Sequence, residues 1–381
     1  MRLWPFSSTA HELNGAPPER FTVIEDLLRR NVEDVFRVER QEVRGATFGW
    51  GGALRVEPAR ALALLEARFK PFGYTPFLGR QGDLVWVRAV PLANTRVRLR
   101  PGLNLSLFLL TVLSTIAAGG LPLGHVPFLE YNPLAHFRLG AGVQFSVTLL
   151  AILATHEFGH YFTARYYGGA VSLPYFIPLP PPFIFGTLGA VIVMRSPARD
   201  RNALFDIAVA GPLAGLVVAI PALLLGLQWS RVGLALPAGA GVTIFGDSLL
   251  MRVSEWIVFG RLPEGMDVFV HPVALAGWVG LYVTALNLFP VGQLDGGRIA
   301  YALFGPRHRL ISIATIVGLL LLATLFWSPS WIFFVTLILL LMGIHHAPPL
   351  DDLTPLSRRR YALGLFCLVL LVLLVPPVPI R

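Results

Sequence analysis

From residue 101 onward the chain returns repeatedly to apolar runs long enough to cross a membrane, and nothing else in the sequence limits its fold as much. The hydrocarbon core of a bilayer is about 30 Å thick, which a helix crosses in about 20 residues. Runs of this kind occupy residues 103–121, 141–166, 203–227, 271–289, 310–326, 331–345 and 361–374. Ser328-Pro329-Ser330 separates the fifth from the sixth, which is short. Only 14% of the 381 residues are charged and 55% are hydrophobic, whereas a soluble domain is about one quarter charged. Too few charges remain to cover a globule, so the apolar residues must meet lipid. Disordered, collagen-like and small disulfide-stapled folds are excluded on the same grounds.

The charge is unevenly placed. Eleven of the 22 acids, from Glu12 to Asp83, precede residue 101, which marks residues 1–100 as a water-facing domain and residues 101–381 as a membrane domain. Residues 23–36 and 58–69 carry apolar residues at helical spacing, and 84–90 is dense in β-formers. A small α+β unit is expected there. Cys367 is the single cysteine, so no intrachain disulfide can form. Residues 1–15 lack a seven-residue apolar core, so no cleavable signal peptide is expected, and seven acids in the first 40 residues argue against a transit peptide. A bacterial inner membrane is the expected location.

The net charge is +9, with Lys70 the only lysine. No basic run with interleaved aromatics accompanies it, so no nucleic-acid partner is expected. The arginines instead mark topology. Arg96, Arg98 and Arg100 precede the first run, and Arg195, Arg199 and Arg201 follow the second. Arg298, Arg307 and Arg309 follow the fourth, and Arg358, Arg359 and Arg360 precede the seventh. With seven spans, all four clusters fall on one side, which the positive-inside rule makes cytoplasmic, the N-terminal domain with it. Residues 228–270 on the opposite side also hold arginines, diluted over a longer stretch.

The second run contains Thr155-His156-Glu157-Phe158-Gly159-His160. Residues four apart share a helix face, so His156 and His160 can present imidazole nitrogens to one metal ion, with Glu157 beside them as a base for water. These three ionisable residues follow 17 uncharged ones, from 139 to 155. Ionisable side chains within an apolar span are costly and usually functional. Packed histidines with Glu157 hydrogen-bonded among them are the plainer alternative. A catalytic zinc takes three protein ligands and keeps one position open. Asp295 is the best third ligand, because Pro290 and the glycines of 287–297 interrupt the helix at membrane depth, and irregular backbone there is tolerated only where it is buried or lines a polar cavity. A helix cap or turn is the alternative role for Asp295. His271, His308, His345 and His346 are weaker rivals; His308 reads as a loop residue between two arginines, and His345-His346 as interfacial.

Residues 171–195 include Pro178-Leu179-Pro180-Pro181-Pro182, which forbids a helix, and Ala190-Val191-Ile192-Val193-Met194, which favours a strand. A strand pair and an interfacial loop both fit. The Gly211-Pro212 step within the third run suits close helix packing or a kink, and no chemistry is assigned to it.

Taken together, these elements resemble the site-2 protease family of intramembrane zinc metalloproteases. The resemblance rests on His156-Glu157-Phe158-Gly159-His160, on Gly211-Pro212-Leu213-Ala214-Gly215 in the next span, and on Asn287, Pro290 and Leu294-Asp295-Gly296 later. Gly186-Thr187-Leu188-Gly189-Ala190 and the stretch from His271-Pro272 to Arg298 are similar to the ethylene-dependent gravitropism-deficient and yellow-green branch. The likeness is strong over residues 140–305, the expected protease core.

The resemblance implies a polytopic α-helical membrane protein of about seven spans with a membrane-embedded β-hairpin or sheet. It implies one zinc ion per chain held by His156, His160 and Asp295, and Glu157 as general base. Asn287 matches a residue that holds the substrate backbone or the developing oxyanion; a helix–helix hydrogen bond is its alternative role. Gly186, Thr187, Leu188, Gly189, Asn287 and Pro290 are the expected substrate contacts. The implied reaction is hydrolysis of a peptide bond within or next to a transmembrane helix of another protein, a single-span one being the simplest substrate. Two other classes compete: a zinc-binding membrane protein or transporter without turnover, and a tethered protease acting on soluble proteins. The second would carry its motif in the soluble domain, which holds only His11.

Overall fold

The computed structural model of the protein describes residues 18–91, 100–121, 137–180, 183–235, 244–341, 343–344 and 346–380. Residues 1–15 with His11, and Arg96, Arg98, Pro181, Pro182 and His345, lie outside the described residues.

The N-terminal unit runs α1 (Pro18–Arg30), β1 (Phe36–Arg44), β2 (Thr47–Leu54), α2 (Pro58–Phe69), β3 (Tyr74–Gln81) and β4 (Leu84–Pro91). Its antiparallel sheet has the order β1-β2-β4-β3. In β2 the alternation of strand side chains sends Phe48 and Trp50 into the core and leaves Gly49 and Gly51 on the other face, against the Trp86 ring. Pro58 opens α2 at a position that needs no N–H donor. Ala61, Leu62, Leu65 and Phe69 then form the helical stripe that closes the core over the sheet. The expected α+β unit is present. Its water-side electrostatics are local: Arg68 donates to both Asp34 carboxylate oxygens, at 2.5 and 2.7 Å, and holds that carboxyl below its ordinary range.

The second part comprises α3 (Pro101–Gly120), α4 (Leu139–Tyr166), the hairpin β5 (Tyr175–Pro178) and β6 (Thr187–Val191), and α5 (Arg201–Gln228). It continues with β7 (Arg231–Leu234), α6 (Leu249–Phe259), β8 (Met266–Phe269), α7 (Pro272–Leu288), α8 (Asp295–Phe304), α9 (His308–Leu325), α10 (Pro329–Leu341) and α11 (Arg358–Leu374). Among the described residues, α3, α4, α5 and the apolar unit Asp295–Leu325 are long and apolar enough to cross a membrane, and α7 and α10 are shorter apolar helices. Their outward faces carry Leu105, Leu113, Val147, Val217, Leu321, Leu325 and Leu340, all exposed. In water that surface would be prohibitively apolar; against lipid it costs nothing. The protein is an integral membrane protein.

The core of this part is built on α4, α5 and α7, which bury Phe145, Leu149, Phe205, Leu223, Trp278 and Leu281 among themselves. The expected hairpin is present, with Tyr175 opposite Val191 and Ile177 opposite Gly189. Three features differ from the sequence expectations. Asp295 opens the new helix α8 rather than ending α7. The amphipathic α6, capped by Ser248 at Met251 N (3.1 Å), and the β7–β8 pair fill the stretch between α5 and α7. His308 lies buried at the start of α9, with Nε2 3.1 Å from Ser312 Oγ.

Candidate metal centre

The centre is assembled from one turn of α4 and the first residue of α8. Their i, i+4 spacing places His156 and His160 on the same buried face, their rings 4.8 Å apart and close to perpendicular. Asp295 reaches the pair because α7 stops at Leu288. Pro290 has no N–H to continue the ladder, Val291 N turns back to Phe289 O at 2.7 Å, and Gly292 takes a positive φ of 53°. Gly296 then lets α8 begin directly against the end of α7, since a Cβ there would lie 1.9 Å from Leu288 O. Ser312 of α9 fastens this loop: its hydroxyl donates to Pro290 O at 3.2 Å and accepts from Gly292 N at 3.4 Å.

The result is a triangle of donor atoms. His160 Nε2 lies 3.1 Å from His156 Nε2 and 3.1 Å from Asp295 Oδ2, and His156 Nε2 lies 3.4 Å from the same oxygen. Ligands bound at 2.0–2.1 Å to a tetrahedral zinc sit about 3.4 Å apart, so the three edges suit that ion. The protonation pattern agrees. His160 Nδ1 donates to Ile207 O of α5 at 2.6 Å, which leaves the Nε2 lone pair directed into the triangle beside a carboxylate oxygen. Lone pairs facing one another in a buried cluster repel unless a cation lies between them. His156, His160 and Asp295 are all less than a tenth exposed and form a candidate metal site. Among the described residues it is the one grouping of three such donors.

The Gly211-Pro212-Leu213-Ala214-Gly215 element has a purpose here that its sequence did not disclose. Gly211 faces His160: a Cβ would sit 2.1 Å from Nε2. α5 thereby comes close enough for Ile207 O to accept from the imidazole. This backbone carbonyl and Ser312 are the supporting groups that sequence reasoning missed. Ser312 left a faint signal, as a polar residue four after His308 on an apolar helix; a carbonyl leaves none.

Glu157 is buried beside the triangle, with Oε1 4.0 Å from His156 Nε2, and the Ile192 backbone amide just beyond β6 lies next to its carboxylate. The amide of Asn287, on the last turn of α7, is 3.3 Å from His156 Nε2. Arg298 Nη1 stands 4.0 Å from Asp295 Oδ1 and 4.0 Å from Met194 Sδ, on the chain leaving the hairpin.

The hairpin residues divide by exposure. Thr187 is buried, its hydroxyl donating to Ile177 O at 2.8 Å, and Gly189 N donates back to that hydroxyl at 3.0 Å. Leu188 is exposed. Gly186 O accepts from Ser114 Oγ of α3 at 2.6 Å, and Asn104 of the same helix donates to Pro174 O at 2.8 Å, so α3 grips the hairpin at both ends. Pro290 is buried, with its carbonyl taken by Ser312. Among the rival histidines, His271 caps α7 at Val273 N (3.3 Å), His308 bonds Ser312, and His346 packs against Tyr301. None of the three joins the triangle.

Residues 144–325 match the profile of Peptidase family M50. The chain is 30% identical over 366 residues to the probable zinc metalloprotease EGY2, chloroplastic, of Oryza sativa subsp. indica, an alignment covering 91% of this chain and 64% of that protein. The Arabidopsis thaliana EGY2 is 28% identical over 374 residues, covering 93% and 65%. The Arabidopsis thaliana EGY1 is 32% identical over 241 residues, covering 62% and 43%. The chain thus spans about two thirds or less of each of these relatives. No solved structure matches it.

Proposed function

We propose that this chain, which carries a Peptidase family M50 domain, is an intramembrane zinc metalloprotease that hydrolyses peptide bonds within or next to the transmembrane helices of other membrane proteins. The observation that carries the reading is the meeting of His156, His160 and Asp295 at 3.1–3.4 Å, buried between apolar helices, with a carboxylate that is not part of the triangle beside them. A structural site would close its fourth position with another protein ligand, whereas among the described residues this donor set stops at three.

His156, His160 and Asp295 would hold the zinc. When bound, zinc supplies Lewis-acid polarisation of the scissile carbonyl and a lowered pKa for water. Glu157 takes the proton of the attacking water and returns it to the leaving amine. Asn287 donates its amide to the oxygen that gains charge, a contact worth a few kcal/mol in the transition state. A helical substrate hides its peptide bonds, so it must be held extended to be cut. Residues 186–189 of the hairpin, with Leu188 outward, supply an edge for that.

The finer topology belongs to the same reading. Helices α3, α4, α5, α7, α9, α10 and α11 make seven spans, with residues 1–100 a cytoplasmic domain, residues 101–381 the protease domain, and single-span proteins of a bacterial inner membrane as substrates. The arginine clusters support that orientation.

The test uses the purified full chain and a Glu157→Gln variant on a panel of single-span substrates. The expected result is about one zinc per chain in both proteins, with cleavage only by the unaltered one and a loss of at least ~10²-fold in the variant. Cleavage that survives in the variant overturns the mechanism. Zinc in both without cleavage by either favours a zinc-binding membrane protein without turnover.

A further inference from the structure

The segment between α10 and α11 returns to the N-terminal sheet. Residues 350–352 lie parallel to β3, the edge strand: Leu78 N donates to Leu350 O at 2.7 Å, and Asp352 N donates to Leu78 O at 2.9 Å. On the other side of this strap, Leu350 N donates to Ala198 O and Asp351 N to Arg199 O, both at 2.9 Å. The strap is therefore shared between the N-terminal sheet and the residues leading into α5. Leu350 and Leu353 pack into the core of the N-terminal unit. The buried Asp351 carboxylate accepts from Leu353 N at 2.9 Å and Thr354 N at 3.1 Å, which fixes the turn that follows.

Asp352 faces the membrane domain. Its carboxylate accepts from Arg201 Nε at 2.8 Å and from the Tyr301 hydroxyl at 2.9 Å. Arg201 is the first residue of α5, the helix whose Ile207 carbonyl holds His160. Tyr301 lies on α8, six residues after Asp295. One side chain thus ties together the helix that aims one metal ligand and the helix that carries another. α8 needs such a tie, because the irregular loop before it cannot transmit the direction of α7.

We propose that Asp352 and Tyr301 are positioning residues of the metal centre, and that the N-terminal sheet, by holding the 350–352 strap, sets the separation of α5 and α8 and with it the fit of Asp295 to His160. The proposal rests on the reading of His156, His160 and Asp295 as metal ligands. An exposed ion pair would contribute little, but the Asp352 side chain is 11% exposed and Tyr301 is buried. Metal–ligand bonds tolerate only about ±0.2 Å, so a slight drift of α8 registers in affinity. Loss of a group hydrogen-bonded directly to a metal ligand typically weakens metal binding about 10–100-fold; Asp352 bonds Arg201 and Tyr301, one step further out, so the lower end of that range applies.

The experiment measures zinc affinity of the full-length protein in detergent by competition with a chromophoric chelator, alongside the melting temperature, for Asp352→Asn, Tyr301→Phe and Ser248→Ala. Asp352→Asn is expected to raise the zinc Kd about 10-fold and Tyr301→Phe by a smaller factor. Ser248→Ala removes the α6 cap at the far end of α5 and α7, and should lower the melting temperature with the zinc Kd unchanged. Wild-type zinc affinity in both Asp352→Asn and Tyr301→Phe overturns the proposal, whatever their melting temperatures. If Asp352→Asn does not fold, Tyr301→Phe, which removes one hydroxyl, decides alone. An unaltered protein that binds no zinc overturns this proposal together with the ligand assignment. One that binds zinc and cleaves nothing overturns the protease reading and leaves this one standing on its own arms.

Discussion

Gly211→Ala adds one methyl group where the structure has no room for it. The new Cβ would lie 2.1 Å from His160 Nε2, 2.4 Å from Cδ2 and 2.5 Å from Cε1. Ordinary contact between such atoms begins near ~3.5 Å, so the overlap exceeds about 1 Å. Two adjustments are open. The imidazole can swing away, which breaks its 2.6 Å bond to Ile207 O and leaves buried polar groups unpaired, at a cost of about 1–3 kcal/mol. Otherwise α5 can retreat from α4, which undoes the approach at Gly159, whose own Cβ position is 2.7 Å from Ala210 O. Either displacement is several times the ~0.2 Å that a metal bond tolerates. A loss of about 1–3 kcal/mol corresponds to zinc binding weakened about 5- to 150-fold, and cleavage should fall with it. Gly215→Ala is the matched control: its Cβ would meet His156 Cβ at 3.3 Å, which a small relaxation absorbs. Alanine favours helix over glycine at both sites, so neither variant should lose helicity by circular dichroism. Zinc affinity by chelator competition separates them. Wild-type affinity in Gly211→Ala, or equal losses in both, would refute the packing argument.

Two further outcomes follow from other parts of the molecule. Ser114→Ala removes the hydroxyl that reaches Gly186 O, but Leu179 N still donates to that carbonyl at 3.0 Å, so the cost should be about 1 kcal/mol, seen as faster hydrogen exchange of the Leu179 and Gly189 amides; unchanged exchange would show that Ser114 does not hold the hairpin. Glu255 on α6 has its carboxyl pushed up to about 7, first by burial and then by Asp247 and Asp267, with Arg252 opposing. The folded state therefore holds this proton more tightly than the unfolded chain, whose value is near 4.5, so the stability it contributes is full below that value and is lost as pH rises through about 7. Melting temperatures across pH 5–8 (roughly the window bounded by those two values) should decline in the unaltered protein and flatten in Glu255→Gln; parallel profiles would sink this assignment.

Much of the architecture was legible because bilayer thickness and helical period act on contiguous residues. The run at 141–166 became α4 (Leu139–Tyr166), and 203–227 became α5 (Arg201–Gln228). His156, Glu157 and His160 could be read as a unit for the same reason, since one helical turn sets their relation. Asp295 was found through the pattern that breaks the helix before it, although its place as the opening residue of α8 was not, even though an acidic residue in a first turn favours a helix start. α6 escaped because eleven amphipathic residues between two spans satisfy no length criterion for crossing; Ser248 and Gly260 at its ends were the available signals.

What stayed illegible shares a physical cause. The Ile207 carbonyl that orients His160 is a backbone atom, identical at every position of the chain. The 350–352 strap is three residues whose partners lie about 150 and 270 positions away, too short for any periodicity to announce it. Two glycines four apart in a span do signal close approach, yet not what approaches: at Gly215 it is the stem of His156, at Gly211 the Nε2 edge of His160. A side chain declares its chemistry in the sequence, whereas the group that aims it is often a carbonyl, an absent methyl or a remote strand. The ligand triangle is therefore the part of this centre that substitution by residue type would find first. Around it, Gly211 and the Ile207 carbonyl have no side-chain chemistry to recommend them, and Ser312 and Asp352 have chemistry that their places in the sequence do not connect to this centre.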